Sequence, residues 1–166
     1  MILERLEAEA QQRGLILRLK VGRPLGCFSL RVVVGRIGDH SRLLLQGEMK
    51  GWAYPAERGL QLDTMRVLPT ATSGTGDLIW AATMAWATDV TPCRSARLLA
   101  IDDDDRQHRR LVRYFQQRGF SSVRRVDAAV WDLPLRLVWG GVGLLMRAEV
   151  DQVLQRSLRG WTQSAA

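Results

Sequence analysis

The 166-residue chain has only two cysteines and two histidines. Cys27 and Cys93 are too few for a disulfide framework. With His40 and His108 as the only imidazoles, no set of ligands stands at metal-binding spacing, and no metal is expected. Long apolar runs are missing too. The longest, residues 78–87 and 137–146, are about half of the ~20 residues a membrane-crossing helix requires, so no span is expected. The first fourteen residues, MILERLEAEAQQRG, carry glutamates early and no apolar run. They do not read as a secretory signal, which points to the cytoplasm. Low-complexity tracts, internal repeats and a domain linker are absent. The length suits one domain with a core of its own: an N-terminal helix at 1–14, a sheet core at 15–147 and a C-terminal extension at 148–166.

Arginine is what the chain has in excess. Lysine and arginine number 24 against 17 acidic residues, for a net charge of +7. That balance favours an anionic partner: a phosphorylated cofactor, a nucleic acid or an acidic membrane surface. The N-terminal helix carries Glu4, Glu7 and Glu9 against Arg5 and Arg13, the wrong balance for anionic lipid. The first two partners remain.

Periodicity supplies the elements. Ile2, Leu3, Leu6 and Ala10 are spaced as in an amphipathic helix that Gly14 stops. Strand alternation follows at 15–21 and 28–37, with a third strand at 42–52 and a fourth at 61–67 that Pro69 ends. A helix at 77–88, a short strand at 96–101 and a helix from Arg106 closed by Gly119 come next. Strands are expected at 121–126 and 133–147, the latter with a bulge or bend at Gly140, Gly141 and Gly143, then a short helix at 148–160 and a frayed end. The early strands suit an antiparallel meander and the later β-α-β a parallel crossover. The fold class expected is α/β: a mixed, mostly antiparallel central sheet with helices against both faces.

Between the fourth strand and the following helix lies TATSGTG. It places Gly74 and Gly76 at a helix mouth, where unpaired N–H groups and the positive end of the dipole favour an anion such as phosphate. In the helix from Arg106, His108, Leu111, Val112 and Phe115 share the face expected against the sheet, and Arg106, Arg109, Arg110 and Arg113 form a basic stripe on the other side. That stripe suits either a solvated face or a phosphate or RNA contact. Glu48 and Asp63 lie inside strands, and either would act as a general base on an amine if it faced a cleft. No Ser-His-Asp set is legible.

LQLDTMRVLP, a loop ending in GTG, an apolar helix, the strand ARLLAI and then HRRLVRYFQQRGF together resemble the GCN5-related N-acetyltransferase family over residues 28–147. In that family a V-x-P strand end leads to an R/Q-x-x-G-x-G/A loop that holds the pyrophosphate of acetyl-CoA, and an N-x-x-A-x-x-L-Y-x-x-x-G-F helix follows. The resemblance implies acetyl-CoA, or another acyl-CoA, as cofactor and an amine, a protein amine included, as acceptor. It implies cofactor contacts from Met65, Val67, Thr72, Ser73, Gly74, Thr75, Gly76, His108 and Arg109, and catalytic roles for Glu48 or Asp63 as base and Tyr114 as acid. Three departures fall at functional positions. Ala71 replaces the loop Arg or Gln, His108 the asparagine and Phe115 the tyrosine. Tyr114 is next door but about 100° round the helix, so it would serve only from a rotated or unwound helix. Asp77 stands as a repulsive neighbour for a phosphate. The family's two early helices are largely missing.

These departures, the surplus arginine and six tryptophans also motivate an alternative: a non-catalytic scaffold on the same fold that binds a protein or RNA through the Arg106/Arg109/Arg110/Arg113 face. Trp80 and Trp86 lie on different sides of their helix, and in this alternative one of them reaches the surface. The oligomeric state stays open, a dimer included.

Overall fold

The structure is a computed structural model that describes residues 1–102, 104–127 and 142–166. Alternation decides its first half. In β1 (Leu15–Gly22) and β2 (Phe28–Ile37), Leu15, Leu17, Phe28, Leu30, Val32 and Val34 are buried, while Arg18, Lys20 and Arg31 between them are exposed. That is the pattern of a half-buried antiparallel pair. β1 reaches β2 through a single 3-10 turn, Pro24–Gly26, with Gly22 already paired to Ser29. No helix separates them, as the short spacing implies.

β3 (Leu43–Ala53) and β4 (Leu60–Val67) complete a four-stranded antiparallel meander. β5 (Ser95–Ile101) joins β4 in parallel, and β6 (Ser121–Val126) and β7 (Gly143–Glu149) extend the sheet antiparallel. The order is β1-β2-β3-β4-β5-β7-β6, the mixed, mostly antiparallel sheet expected. Of the strand expected at 133–147, the described part begins at Gly143, and Gly140 and Gly141 lie outside the described residues.

Four helices are described: α1 (Ile2–Gln12), α2 (Thr75–Val90), α3 (Asp105–Arg118) and α4 (Val150–Gln163). α3 starts where Asp104 accepts bonds from the N–H groups of Arg106 and Gln107, and it stops at Gly119, whose φ of 107° suits glycine. α2 is buried all round from Leu78 to Ala87 because α4 packs along it on the side away from the sheet. Trp80, against Phe115 and Phe120, and Trp86, against Phe28, are both core residues, 1% and 2% exposed, and neither reaches the surface.

The C-terminal segment belongs to this core. Val150, Val153, Leu154 and Trp161 of α4 join it, each large side chain worth about 1.5–3 kcal/mol of burial. The indole N–H of Trp161 donates to Glu9 at 2.8 Å, and the Arg13 guanidinium lies 3.6 Å above its ring. Arg13 also donates to the Trp161 carbonyl and to Ser164 Oγ, so the end expected to fray is held. No helix among the described residues is long and apolar enough to cross a membrane.

Three irregularities in the sheet position the site. β4 and β5 pair only over Leu60–Leu62 against Ala96–Leu98, and both strands then continue unpaired to each other. Two β-bulges supply the others: Gln46 is the extra residue where Gly47 pairs with Val34 and Leu45 with Gly35, and Asp63 the extra residue where Lys50 pairs with Thr64 and Gly51 with Leu62. A bulge re-aims a side chain that regular alternation would otherwise fix.

Candidate functional site

Beside the end of β4 that is not paired to β5, a cavity of about 360 Å³ opens between β4, the start of α2 and α3. Met65, Val67, Leu111 and Phe115 give it an apolar wall; Gly74, Gly76 and Asp77 form its mouth; Tyr114 and Arg118 line the α3 side. Of the residues singled out from sequence, this cavity gathers Met65, Val67, Gly74, Gly76 and Tyr114.

The mouth is shaped by its glycines. Gly74 has φ 89° and caps α2, and it packs so tightly on Trp161 and Ser164 that no side chain fits there. At Gly76 a first side-chain carbon would stand 3.7 Å from Tyr114 Oη and 3.8 Å from Arg118 Nη2, so a longer side chain would fill the opening. The first-turn N–H groups of α2 have no preceding helical carbonyl to reach, and the helix dipole adds positive potential.

The loop before α2 is held from β3. The Gln46 amide oxygen, presented by its bulge, accepts from Thr72 N at 3.1 Å, and its backbone oxygen accepts from Leu68 N. The Thr75 hydroxyl is buried and donates to the Thr72 carbonyl at 2.7 Å, so it shapes the loop rather than facing the cavity. Thr72 and Ser73 are exposed on the loop.

Tyr114 reaches the cavity from a regular α3, and no rotation or unwinding is needed. Leu111, Val112 and Phe115 pack on the core as expected, with His108 half-buried against the Ile101 carbonyl, and Tyr114 joins the same packing. Tyr114 Oη accepts from the Trp80 indole N–H at 2.9 Å and lies 3.8 Å from Met65 Sδ. Phe115, in the family tyrosine's place, packs edge-on against Trp80 and Phe120.

Arg118 and Asp77 form an ion pair at the mouth, both side chains largely buried. The Arg118 guanidinium also lies 5.2 Å above the Tyr114 ring. Neither Arg118 nor the Gln46 tie was singled out from sequence. The signal for Arg118 was its place four residues after Tyr114, one turn along the same face.

Besides the loop residues Thr72, Ser73 and Thr75, Glu48, His108 and Arg109 also lie outside the cavity lining. Glu48 lies outside the cavity and accepts two hydrogen bonds from Arg31, at 2.8 and 3.1 Å. Those bonds hold its carboxyl below the usual carboxylate range against the opposing effect of burial, with Arg31, Lys50 and Arg66 adding favourable charge. A carboxylate so held is a poor proton acceptor. His108 Nδ1 lies 3.1 Å from the Ile101 carbonyl, and Arg109 is exposed on α3; neither lines the cavity. Asp63, by contrast, lines the small opening between the parted strands together with Met65 and Phe115, which also line the cavity.

No family model matches this chain, and no curated protein matches it in sequence. Solved structures do. A nourseothricin acetyltransferase superposes with a TM-score of 0.52 at 14% identity, covering 82% of this chain and 88% of its own. A mutant spermidine N-acetyltransferase SpeG from Vibrio cholerae gives 0.51 at 11% identity, covering 78% and 70%. At such identities the likeness establishes a shared fold.

Proposed function

We propose that this chain, which has the GCN5-related N-acetyltransferase fold, transfers an acyl group from acyl-CoA, acetyl-CoA in the first instance, to a primary amine. The observation that carries this reading is the cavity beside the end of β4 not paired to β5, with an apolar wall, a glycine mouth and a cation beside it. That sequence of surfaces fits an apolar arm that ends in phosphate. Gly76 leaves the space a phosphate needs, and Arg118 supplies the positive charge that Ala71 cannot. Its pairing with Asp77 also answers the repulsion that Asp77 alone would offer.

When bound, acetyl-CoA supplies an acyl thioester, whose C–S bond gives way to the C–N bond of an amide. The chain's own groups handle positions and protons. Beyond Leu62 the edge of β4 turned toward β5 has no strand paired to it among the described residues. Its backbone groups around Met65–Val67 are placed to hold the arm of the donor and the acyl oxygen. Asp63, at the far side of the gap, takes the proton the amine loses. Tyr114 accepts from Trp80, and its own proton, which meets only the weak acceptor Met65 Sδ, goes to the departing sulfur.

The test is release of free CoA thiol from acetyl-CoA in the presence of a panel of primary amines. Amine-dependent release that Gly76→Glu abolishes is the expected result. No release with any amine, or release untouched by Gly76→Glu, would remove the reading.

A further inference from the structure

Lys20, Arg31 and Lys50 stand directly opposite one another on three adjacent strands, Lys20 against Arg31 and Arg31 against Lys50. All three are exposed. Like charges opposed across a sheet are destabilising. The next row on the same face has Arg18 and Arg66 at its ends, with Val33 and Glu48 between them. These two rows therefore hold five cations and one carboxylate, Glu48, which makes its hydrogen bonds to Arg31, and the bulged Asp63 lies beside them. Among the described residues, Lys20, Lys50, Arg18 and Arg66 have no carboxylate in an ion pair with them.

The rows lead to the site. Lys50 pairs with Thr64, and beside it the bulged Asp63 lines a groove of about 240 Å³ together with Lys50, Trp52, Ser29 and Cys27. Asp63 also lines the gap that opens toward the cavity. A molecule lying on the cationic rows would thus present a group to Asp63 from the side opposite the cavity.

We infer that the acceptor amine is carried by an acidic peptide segment lying on this face; the inference rests on the acyl-transfer reading. Asp63 receives the cationic amine, a lysine side chain or an N-terminus, and carboxylates flanking it neutralise Lys20, Lys50, Arg18 and Arg66. Four strands at the usual spacing make rows about 14 Å long. Such an open, flat surface suits an extended chain, whereas a small molecule is gripped in a concave pocket. RNA would also meet cations here, but the aromatic platform it needs is thin. Trp52 and Tyr54 lie 5.2 Å apart and contact each other, and no aromatic side chain lies within either cationic row.

The experiment uses the full chain and three labelled probes, read by fluorescence anisotropy: a peptide with one lysine flanked by glutamates, a matched peptide flanked by arginines, and a single-stranded RNA oligonucleotide. Acetylation of both peptides and of spermidine is measured in parallel. The glutamate peptide is expected to bind at least about tenfold more tightly than the arginine peptide, to weaken with salt, and to be the better acceptor. Lys20→Glu/Lys50→Glu should reverse that preference, and Lys20→Gln/Lys50→Gln should erase it should the reversal fail to fold. The affinity for acetyl-CoA by calorimetry should stay unchanged in both. Equal binding of the two peptides, preferential use of spermidine, or RNA binding that depends on Lys20 and Lys50 in place of peptide binding would overturn the inference. Wild-type protein that binds the glutamate peptide but no acetyl-CoA would confirm the surface and overturn the transfer reading.

Discussion

The indole N–H of Trp80 donates to the phenolic oxygen of Tyr114 at 2.9 Å, linking the buried face of α2 to the α3 wall of the cavity. This bond fixes the place of the oxygen, whose own proton is directed at Met65 Sδ, 3.8 Å away. Tyr114→Phe is expected to lower kcat by roughly 10²-fold with little change in KM for acetyl-CoA, the size of a lost proton donor. The orphaned indole should cost about 1–3 kcal/mol of stability. Steady-state kinetics and thermal melts of the same variant check both. An unchanged kcat would assign the tyrosine a packing role only.

Asp63 and Glu48 are separable. Asp63→Asn should lower kcat with little change in the affinity for acetyl-CoA. Glu48→Gln should leave transfer intact, since Glu48 lies outside the cavity. Its effect is on stability and carries a sign. The Arg31 hydrogen bonds lower the folded pKa of Glu48, so its contribution is present above the ordinary carboxylate value and lost as pH falls through the lowered one. Wild type and Glu48→Gln should therefore differ in denaturant midpoint near neutral pH and converge in acid.

Arg118 should discriminate phosphate from the rest of the donor. Arg118→Gln is expected to weaken CoA binding by about 10–100-fold, the loss of a charge-assisted bond of about 1.5–3 kcal/mol. Pantetheine, which has no phosphate, should bind wild type and variant alike. Asp77→Asn, which frees Arg118 from its partner, should tighten CoA binding. Equal weakening of CoA and pantetheine would place Arg118 in the fold rather than at the phosphate.

α4 supports the mouth from behind, through Trp161 and Ser164 against Gly74. Trp161→Ala should cost about 3–5 kcal/mol, the usual range for emptying a large aromatic site. Gly74→Ala combines a positive φ with a collision and should also destabilise. Gly76→Ala, whose first carbon has ordinary contacts, should melt close to wild type. Thermal melts rank the three.

The first two strands were legible because Leu15 and Leu17, and Leu30, Val32 and Val34, recur at every second position, and one buried face makes period-two patterning unambiguous. The end of α3 was legible in Gly119, and the turn at Gly74 and Gly76 in its composition. The two bulges were not. Gln46 and Asp63 become extra residues only through the register of β3 against its neighbours, which no local pattern encodes. Nor was the direction of Tyr114: the phase of α3 is set by where Phe115 docks against Trp80 and Phe120. Arg118 and Asp77 are 41 residues apart and meet only in the folded chain. Both tryptophans of α2 are buried through contacts distant in sequence, Trp80 on Phe115 and Phe120 and Trp86 on Phe28.

The central claim is that the cavity beside the end of β4 not paired to β5 holds an acyl-CoA with its phosphates at Gly76. Calorimetric titration of acetyl-CoA into wild type and Gly76→Glu tests it most directly, with matching melts to show that both are folded. Saturable one-to-one binding by wild type, lost in Gly76→Glu, is the result expected. No heat and no thermal shift with wild type at millimolar acetyl-CoA, or equal binding by the two proteins, would contradict it.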